Sequence, residues 1–225
     1  MRFAQGRLIQ FAKAPQLGKV KTRLQPHLSE AAALDLHCRL VTHTFNRLLA
    51  ADLASVELWV SEESPAFFRP LTAGKPCGLR VQRGSDLGVR MFNALTDAPE
   101  HIEFSVVIGS DCPILDADYL ISALDQLASG TPVVIGPADD GGYVLIGARQ
   151  PAVNIFTGVD WGSSRVMEQT RQRCVDLGVK WSELPMLWDV DRAKDLNKLR
   201  KLVKQSPTEY AALSSFDFEA LRFPL

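Results

Sequence analysis

The stretch LIQFAKAPQLGKVKTRL, residues 8–24, decides the fold that we expect for this chain. It begins as an apolar run of strand length, is interrupted at Pro15 and Gly18, and is followed from Ser29 by a long helical pattern. Polar side chains that can carry or bind charge lie in or beside the interruption: Lys13, Lys19, Lys21, Thr22 and Arg23. The pattern predicts an early strand that ends in a cationic loop.

This basic loop has two interpretations. Ammonium and guanidinium groups, exposed backbone N–H groups and a threonine hydroxyl can together hold phosphates, whereas a solvated basic turn would have the same composition. The loop does not match GxxxxGK[ST], because Lys13 stands where a glycine is required and Val20 follows Gly18-Lys19. No GxGxxG follows the strand either. Both interpretations stay open on these residues alone.

The composition is typical of a soluble globular protein with one substantial core. A chain of 225 residues predicts one domain rather than two. Hydrophobic residues make up 46% and charged residues 23%, which argues against disorder. The 25 Lys+Arg nearly balance the 26 Asp+Glu, so charge gives no support to a nucleic-acid or membrane-surface role. Any cationic site must therefore be local.

The start of the chain has no long apolar segment and no small-residue cleavage site, which predicts neither a signal peptide nor membrane insertion and leaves the cytoplasm as the default location. The cysteines have no CxxC spacing and the histidines no HExxH spacing. Free thiols and surface or helix-face histidines are the expected interpretation: Cys38, Cys77, Cys112, Cys174, His27, His37, His43 and His101.

Strand-length and helix-length patterns alternate along the chain. Strands after the first are predicted at 56–60, 78–82, 104–108, 132–135, 143–147 and 179–184. Helices are predicted at about 29–51, after residue 61, from 86, at 116–127, up to 177 and up to 203, with a short final helix from 206. The alternation predicts a three-layer α/β/α fold with a mostly parallel sheet and with sites at the carboxyl ends of its strands.

The turn at residues 139–143 is hairpin-like, so we expect one antiparallel pair of strands there. No linker or repeat divides the chain. We therefore predict a single domain over 1–225, with a core at about 7–204 and a C-terminal helix and tail at 205–225 that pack on the body.

Acidic residues follow three of the predicted strands: Asp111, the pair Asp139/Asp140 and the pair Asp189/Asp191. A hard divalent cation is held by a few carboxylates together with phosphate oxygens and waters, and two turns that contribute one aspartate each would supply them. Asp111 and Asp191 are the predicted ligands of Mg²⁺ or Mn²⁺, whereas Asp189 is interpreted as a residue that orients its turn.

As an ordered set, these motifs resemble those of bacterial transferases of glycosyltransferase-A fold, akin to 2-phospholactate guanylyltransferase and, more distantly, to the molybdenum cofactor guanylyltransferase. The resemblance spans about residues 7–200. It rests on the segments FAKAP (11–15), KTRL (21–24), DLGVRM (86–91), GSDCP (109–113), PADDGGY (137–143) and DVD (189–191).

The resemblance implies a nucleotide or nucleotide sugar bound over the carboxyl ends of the first strands, with a small-molecule acceptor beside it. The implied nucleotide-binding residues are Ala12, Lys13, Gly18, Lys21, Thr22, Arg23, Gly84, Asp86, Gly88, Arg90, Ser110 and Asp111. The implied catalytic residues are Lys13, Lys21, Arg23, Asp139 and Asp140. The acceptor side would be formed by Gly141, Gly142, Tyr143 and Trp161.

Two departures from the related nucleotidyltransferases concern the phosphate and metal sites. The segment that usually reads DxDTPED is DVDRAKD at 189–195, which keeps the aspartates but lacks the helix-starting proline. The opening loop also lacks the Gly-Gly of typical sugar nucleotidyltransferases. Both departures leave open how a diphosphate or triphosphate is held.

Three functions remain as hypotheses. The first is glycosyl transfer from a nucleotide sugar, the second is transfer of a nucleotide to a small phosphorylated metabolite with release of pyrophosphate, and the third is nucleotide binding without turnover. In the first, Asp139 or Asp140 would act as general base. Trp161, Trp188 and Tyr143 are candidates for stacking on a ligand, although aromatic residues at strand ends are more often packing residues. The sequence leaves the oligomeric state open.

Overall fold

Seven strands form one sheet with helices on both faces in the computed structural model, which describes residues 1–218. The strands are β1 (Gly6–Ala12), β2 (Ser55–Val60), β3 (Cys77–Val81), β4 (Phe104–Ile108), β5 (Val133–Pro137), β6 (Tyr143–Arg149) and β7 (Trp181–Glu183). The helices are α1 (Glu30–Ala51), α2 (Pro65–Thr72), α3 (Leu87–Thr96), α4 (Ala117–Ala128), α5 (Val166–Asp176), α6 (Ala193–Gln205) and α7 (Ala211–Ser214). The predicted three-layer α/β/α class is confirmed.

The strand order is β3-β2-β1-β4-β6-β5-β7, and only β6 runs against its neighbours. β5 and β6 pair directly across their turn, which confirms the predicted antiparallel hairpin. Because the remaining pairs are parallel, the strands β1, β4, β5 and β7 all end at one edge of the sheet, where β6 begins. We call this the carboxyl edge.

Every residue of β1 is buried, as expected of a central strand covered on both faces. Its side chains alternate, so Leu8 packs with α1 and α4 on one face while Ile9 and Phe11 pack with α3 and α5 on the other. This alternation explains why apolar side chains of the middle strand pack on both faces of the sheet. The two polar side chains of β1, Arg7 and Gln10, are also buried, and both donate hydrogen bonds there.

A third apolar cluster lies outside the sheet, against the side of α1 that faces away from it. It joins Leu24, which follows the basic loop, to Val190, which precedes α6, and to residues of α1, α6 and α7. Both Leu24 and Val190 are fully buried. The basic loop and the acidic segment before α6 are therefore fixed against each other by hydrophobic packing.

Three predicted helix starts are confirmed by their caps. Side chains of Ser29, Asp86 and Asp116 each accept a hydrogen bond from the backbone N–H three residues further on. The final helix is different from the prediction, because Ser206 ends α6 and a turn separates it from α7. Of the predicted C-terminal tail, Phe216 is buried on the body, and residues 219–225 lie outside the described residues.

Within residues 1–218, no helix is long and apolar enough to cross a membrane.

Candidate functional site

Four loops meet at the carboxyl edge. They are the basic loop (13–23) after β1, the loop after β4 that starts at Gly109, the hairpin turn (138–142) between β5 and β6, and the acidic loop (187–192) before α6. Backbone hydrogen bonds hold the last three together, from Val190 N–H to Asp111 O and from Asp139 N–H to Leu187 O. The predicted catalytic and metal-binding residues all lie on these loops.

Lys21 connects three of the loops through its ammonium group. Its side chain is only 4% exposed, its Nζ donates to Val190 O at 2.6 Å, and it lies 2.7 Å from Asp111 Oδ1. Desolvation alone would raise the pKa of Asp111, but the Lys21 ammonium and the His37 imidazole hold it below its usual value. Lys21 also has a left-handed backbone, with φ of 49°. Asp111 is therefore an ionised group with a fixed cationic partner.

Arg23 forms the second pair between basic and acidic loops. Its Nη1 donates to Asp191 Oδ2 at 2.6 Å, and its Nη2 lies 3.4 Å from Gly162 O. The Arg23 side chain is about half exposed, so part of the guanidinium remains accessible to a ligand. The two predicted metal ligands, Asp111 and Asp191, are thus each paired with a cation of the basic loop.

Asp189 lies at the centre of the acidic groups. Burial, together with the charges of Asp140, Asp111 and Asp191, raises the pKa of its carboxyl to about 7, against the smaller opposing effect of Lys21. Three other carboxylates are therefore close enough to Asp189 to disfavour its ionised form. Nevertheless, among residues 1–218 no group of three or more His, Cys, Asp or Glu side chains is arranged so that it could hold a metal ion.

The two aspartates of the hairpin turn have different surroundings. Asp139 forms an ion pair with Lys198 of α6 at 3.2 Å, and the same ammonium lies 5.2 Å from the ring centroid of Trp188. Asp140 instead accepts from Gly142 N–H at 2.9 Å and lines a pocket. The structure thus places Asp140 in the lining of the pocket, whereas Asp139 is exposed beside α6, against which Trp188 packs.

The exposed part of the basic loop carries Lys13 and Lys19. Lys13 Nζ donates to Lys19 O at 2.6 Å, and no carboxylate of residues 1–218 pairs with either ammonium group. Behind them, His37 of α1 contacts Lys13 O at 2.9 Å through Nε2, and Ala12 is buried at the end of β1. Gly18 and Thr22 are partly or fully exposed on the same loop. Positive charge is therefore available at the loop surface.

The segment 83–90 consists of an exposed loop at 83–86 and the first turn of α3. Asp86 caps α3 through its carboxylate, and Arg90 Nε donates to Gly84 O at 3.1 Å. Gly88 is buried against the indole of Trp161, where a Cβ would come within 2.6 Å of the ring. These predicted nucleotide-binding residues shape the loop, and the exposed backbone at 83–87 remains for a ligand.

Ser110 is another residue whose placement is structural. Its hydroxyl is buried, donates to Phe11 O at 2.7 Å and accepts from Gln10 Nε2 at 2.9 Å, so it ties β4 to β1. Its side chain therefore has no open direction toward a ligand.

Three of the four predicted acceptor residues, Gly142, Tyr143 and Trp161, line a pocket with a volume of about 180 Å³, which we call the acceptor pocket after that prediction. Trp161 packs edge-to-face on Tyr143, with 6.3 Å between ring centroids, and forms one wall with Leu87. Gly141 contacts the opposite segment so closely that a Cβ on it would lie 2.1 Å from Ser164 O. Polar side chains complete the lining: Arg23, Asp140, Ser163, Ser164 and Arg192.

A family model described as "Uncharacterized protein conserved in bacteria (DUF2064)" matches residues 44–163, slightly more than half of the chain. The chain belongs to this family. No curated protein matches the sequence significantly.

Solved structures extend the comparison of this DUF2064 member. A protein from Desulfovibrio desulfuricans G20, described as a "putative nucleotide-diphospho-sugar transferase", is 30% identical, with a TM-score of 0.84 over 96% of this chain and 97% of that one. The 4-diphosphocytidyl-2C-methyl-D-erythritol synthase of Anaerococcus prevotii DSM 20548 is 9% identical, with a TM-score of 0.60 over 88% and 98%.

CMP:2-keto-3-deoxy-manno-octonic acid synthetase, solved with CTP, is 12% identical, with a TM-score of 0.58 over 89% of this chain and 99% of that one. At such low identity, the similarity to the synthase and to the synthetase shows the fold alone. Together the comparisons confirm the expected resemblance of this DUF2064 member to transferases of glycosyltransferase-A fold.

Proposed function

We propose that this protein is a metal-dependent transferase that takes a glycosyl group from a nucleotide sugar and passes it to a small acceptor. One observation carries the proposal: at the carboxyl edge, a cationic loop meets carboxylates from three other loops, with Lys21 joined to Asp111 and Arg23 joined to Asp191. Ligands of open α/β sheets bind at this edge. The 30% identity to a protein described as a nucleotide-diphospho-sugar transferase supports the same class of donor.

The diphosphate of the donor would lie on the basic loop. Within the part of the chain that the structure describes, the ammonium groups of Lys13 and Lys19 have no carboxylate partner. The half-exposed Arg23 lines the adjoining pocket. Charge-assisted hydrogen bonds of this kind are stronger than neutral ones and suit phosphate oxygens. The nucleoside would lie along the exposed backbone of 83–87, beside the start of α3.

The residues present fit Mg²⁺ or Mn²⁺ only as part of a nucleotide complex. Among the described residues, no three His, Cys, Asp or Glu side chains are arranged to hold the ion. Mg²⁺ is usually bound by one or two carboxylates, however, with phosphate oxygens and waters as its other ligands. Asp111 and Asp191 are the proposed ligands. Asp189, whose pKa is raised by burial and by neighbouring carboxylates, lies on the same acidic loop as Asp191. The ion would neutralise charge on the leaving diphosphate.

In the transfer step, a hydroxyl of the acceptor attacks the anomeric carbon and the bond from that carbon to the diphosphate oxygen breaks. Asp140 would accept the hydroxyl proton, because its carboxylate lines the acceptor pocket while Asp139 is held by Lys198. Lys13 and Arg23 would take up charge on the diphosphate as it leaves. Trp161 and Tyr143 would position the acceptor.

The second candidate is nucleotidyl transfer, in which an acceptor phosphate attacks the α-phosphorus of a nucleoside triphosphate and pyrophosphate leaves. The observation in its favour is the surplus of cations on the basic loop. Lys21 and Arg23 are paired with carboxylates, whereas no carboxylate among residues 1–218 pairs with Lys13 or Lys19. A triphosphate carries more negative charge than a diphosphate sugar and would use that surplus.

A thermal-shift panel tests these assignments. We expect a nucleotide sugar to raise the melting temperature in the presence of Mg²⁺ or Mn²⁺, because a ligand that binds only the folded state stabilises it by mass action. At a concentration of 100 times its Kd, the gain is about 2.7 kcal/mol. A shift confined to one nucleoside triphosphate would favour nucleotidyl transfer, and binding without consumption by any acceptor would favour a binding module. No shift with any nucleotide would overturn the proposal.

The hairpin turn provides a paired test of the general base. Asp140→Asn should lower turnover by about 100-fold or more, because loss of a general base typically costs two to four orders of magnitude. Asp139→Asn should lower it by less than about fivefold, since its carboxylate serves an ion pair with α6, and exposed pairs contribute little. The measurement is the initial rate of both variants at saturating donor. Equal losses of rate in the two variants would contradict the assignment of Asp140 as general base.

A further inference from the structure

Two arginine residues with different surroundings line the acceptor pocket. Arg23 is paired with Asp191 and contacts Gly162 O. Arg192 lines the same pocket and is exposed, and no carboxylate of the described chain pairs with its guanidinium. The pocket thus has one cation engaged by the protein and one whose counter-charge is missing.

Hydrogen bonds to Asp195 hold the backbone at Arg192. Its N–H donates to Asp195 Oδ2 at 2.8 Å, and the same oxygen lies 3.3 Å from the N–H of Asp191. Asp195 is buried, with 3% exposure, so the acidic loop enters α6 at a defined angle. Arg192 is therefore presented to the pocket from a rigid attachment.

The residues around Arg192 suit a ligand that has an anionic group and a hydroxyl group. A guanidinium is planar and always charged, and its paired N–H donors match the oxygens of a carboxylate or a phosphate. Elsewhere in the pocket, Trp161 and Leu87 supply apolar surface and Asp140 supplies a carboxylate that suits a hydroxyl group. With a neutral acceptor, the exposed guanidinium would stay hydrated and would add no charge-assisted hydrogen bond to binding.

From this arrangement we infer that the acceptor is a small hydroxylated molecule that carries a carboxylate or phosphate, and that Arg192 is the residue that selects this anion. The inference rests on the proposed transferase function, which assigns the acceptor to this pocket. It concerns an anionic group that Arg192 binds, separate from the hydroxyl that reacts near Asp140.

Three ligands with the same carbon skeleton separate the possibilities: glycerol 3-phosphate, glycerate and glycerol. Titrations by calorimetry would use a Lys13→Gln/Lys19→Gln background, so that anion binding at the basic loop is weakened, and would need no nucleotide. We expect one of the two anions to bind and glycerol to bind at least about tenfold more weakly. Arg192→Gln should raise the Kd of that anion by about tenfold. The preferred anion identifies the group as phosphate or carboxylate.

Arg2→Gln is the matched control, because Arg2 is also exposed but lies near the amino end of β1, paired with Asp125. It should leave anion binding unchanged, and Arg192→Lys should restore part of the affinity lost in Arg192→Gln. The inference is overturned if neither anion binds, if glycerol binds as well as the anions, or if Arg192→Gln binds like its parent.

Failure of the proposed transferase function would be seen separately. It would appear as the absence of any nucleotide-induced shift in the protein with Lys13 and Lys19 intact, whatever the calorimetry of the acceptor pocket shows.

Discussion

Asp111→Asn is expected to lower turnover by at least about 100-fold, the typical cost of removing one preorganised electrostatic contact. The substitution keeps the shape of the side chain but removes the charge that pairs with Lys21 at 2.7 Å and that we propose as a metal ligand. The measurement is the initial rate with the donor found by thermal shift, repeated over a titration with Mg²⁺. Loss of the metal-dependent part of nucleotide binding should accompany the loss of rate.

The same substitution should also lower the free energy of unfolding. Lys21 is nearly buried and would keep its charge without a carboxylate partner, which costs about 3–5 kcal/mol for a fully buried pair. Because the Asp111 side chain is 45% exposed, we expect the free energy of unfolding to fall by about 1–2 kcal/mol, as measured by urea denaturation.

Asp118→Asn on the exposed first turn of α4 is the control for Asp111→Asn, and it should change stability and rate little. Retention of a rate within fivefold of the original protein by Asp111→Asn would remove Asp111 from the mechanism.

Gly141→Ala is expected to have the largest effect on folding among the substitutions at the site. Gly141 has φ of +92°, and a Cβ would lie 2.1 Å from the carbonyl oxygen of Ser164. Its own carbonyl accepts from Met167 N–H at 2.8 Å, so two backbone segments are in contact there and neither can rotate away. We expect a loss of about 3 kcal/mol, from backbone strain and from displacement of the loop that lines the acceptor pocket.

Gly158→Ala separates the two causes. Gly158 also has a positive φ, of +80°, but nothing lies within 4 Å of the position that its Cβ would take. It should therefore show only the conformational cost of a left-handed residue, about 1–2 kcal/mol. Denaturant midpoints of both variants give the difference, and equal destabilisation would mean that the contact between Gly141 and Ser164 does not constrain the fold.

Local signals in the sequence predicted much of the fold. Helix caps at Ser29, Asp86 and Asp116 depend on a hydrogen bond three residues away, and the hairpin after β5 depends on its own glycines. The final helix was predicted too early, because Ser206, followed by a proline and a glutamate, resembles an N-cap. In the fold, its N–H instead closes α6 on Leu202 O.

The site was harder to predict, because its geometry depends on contacts between distant loops. Asp139 and Asp140 are adjacent in sequence, yet lysines of α6 surround only the first. Asp189 was interpreted as a turn residue, and its raised pKa follows from burial beside carboxylates of two other loops. No sequence motif marked Arg192 as a site residue, because only the position of α6 in the fold brings it to the acceptor pocket.

The apolar cluster outside the sheet makes the C-terminal segment a structural support of the site. Tyr210, Leu213 and Phe216 pack with α1 and α6, and Glu209 pairs with Arg47 of α1. The acidic loop leads into α6, and Val190 belongs to the same cluster. A truncation or proteolytic cut after α6 would therefore loosen Asp189 and Asp191 without removing any residue of the site, and a shortened recombinant form would lose activity for a reason that its sequence does not reveal.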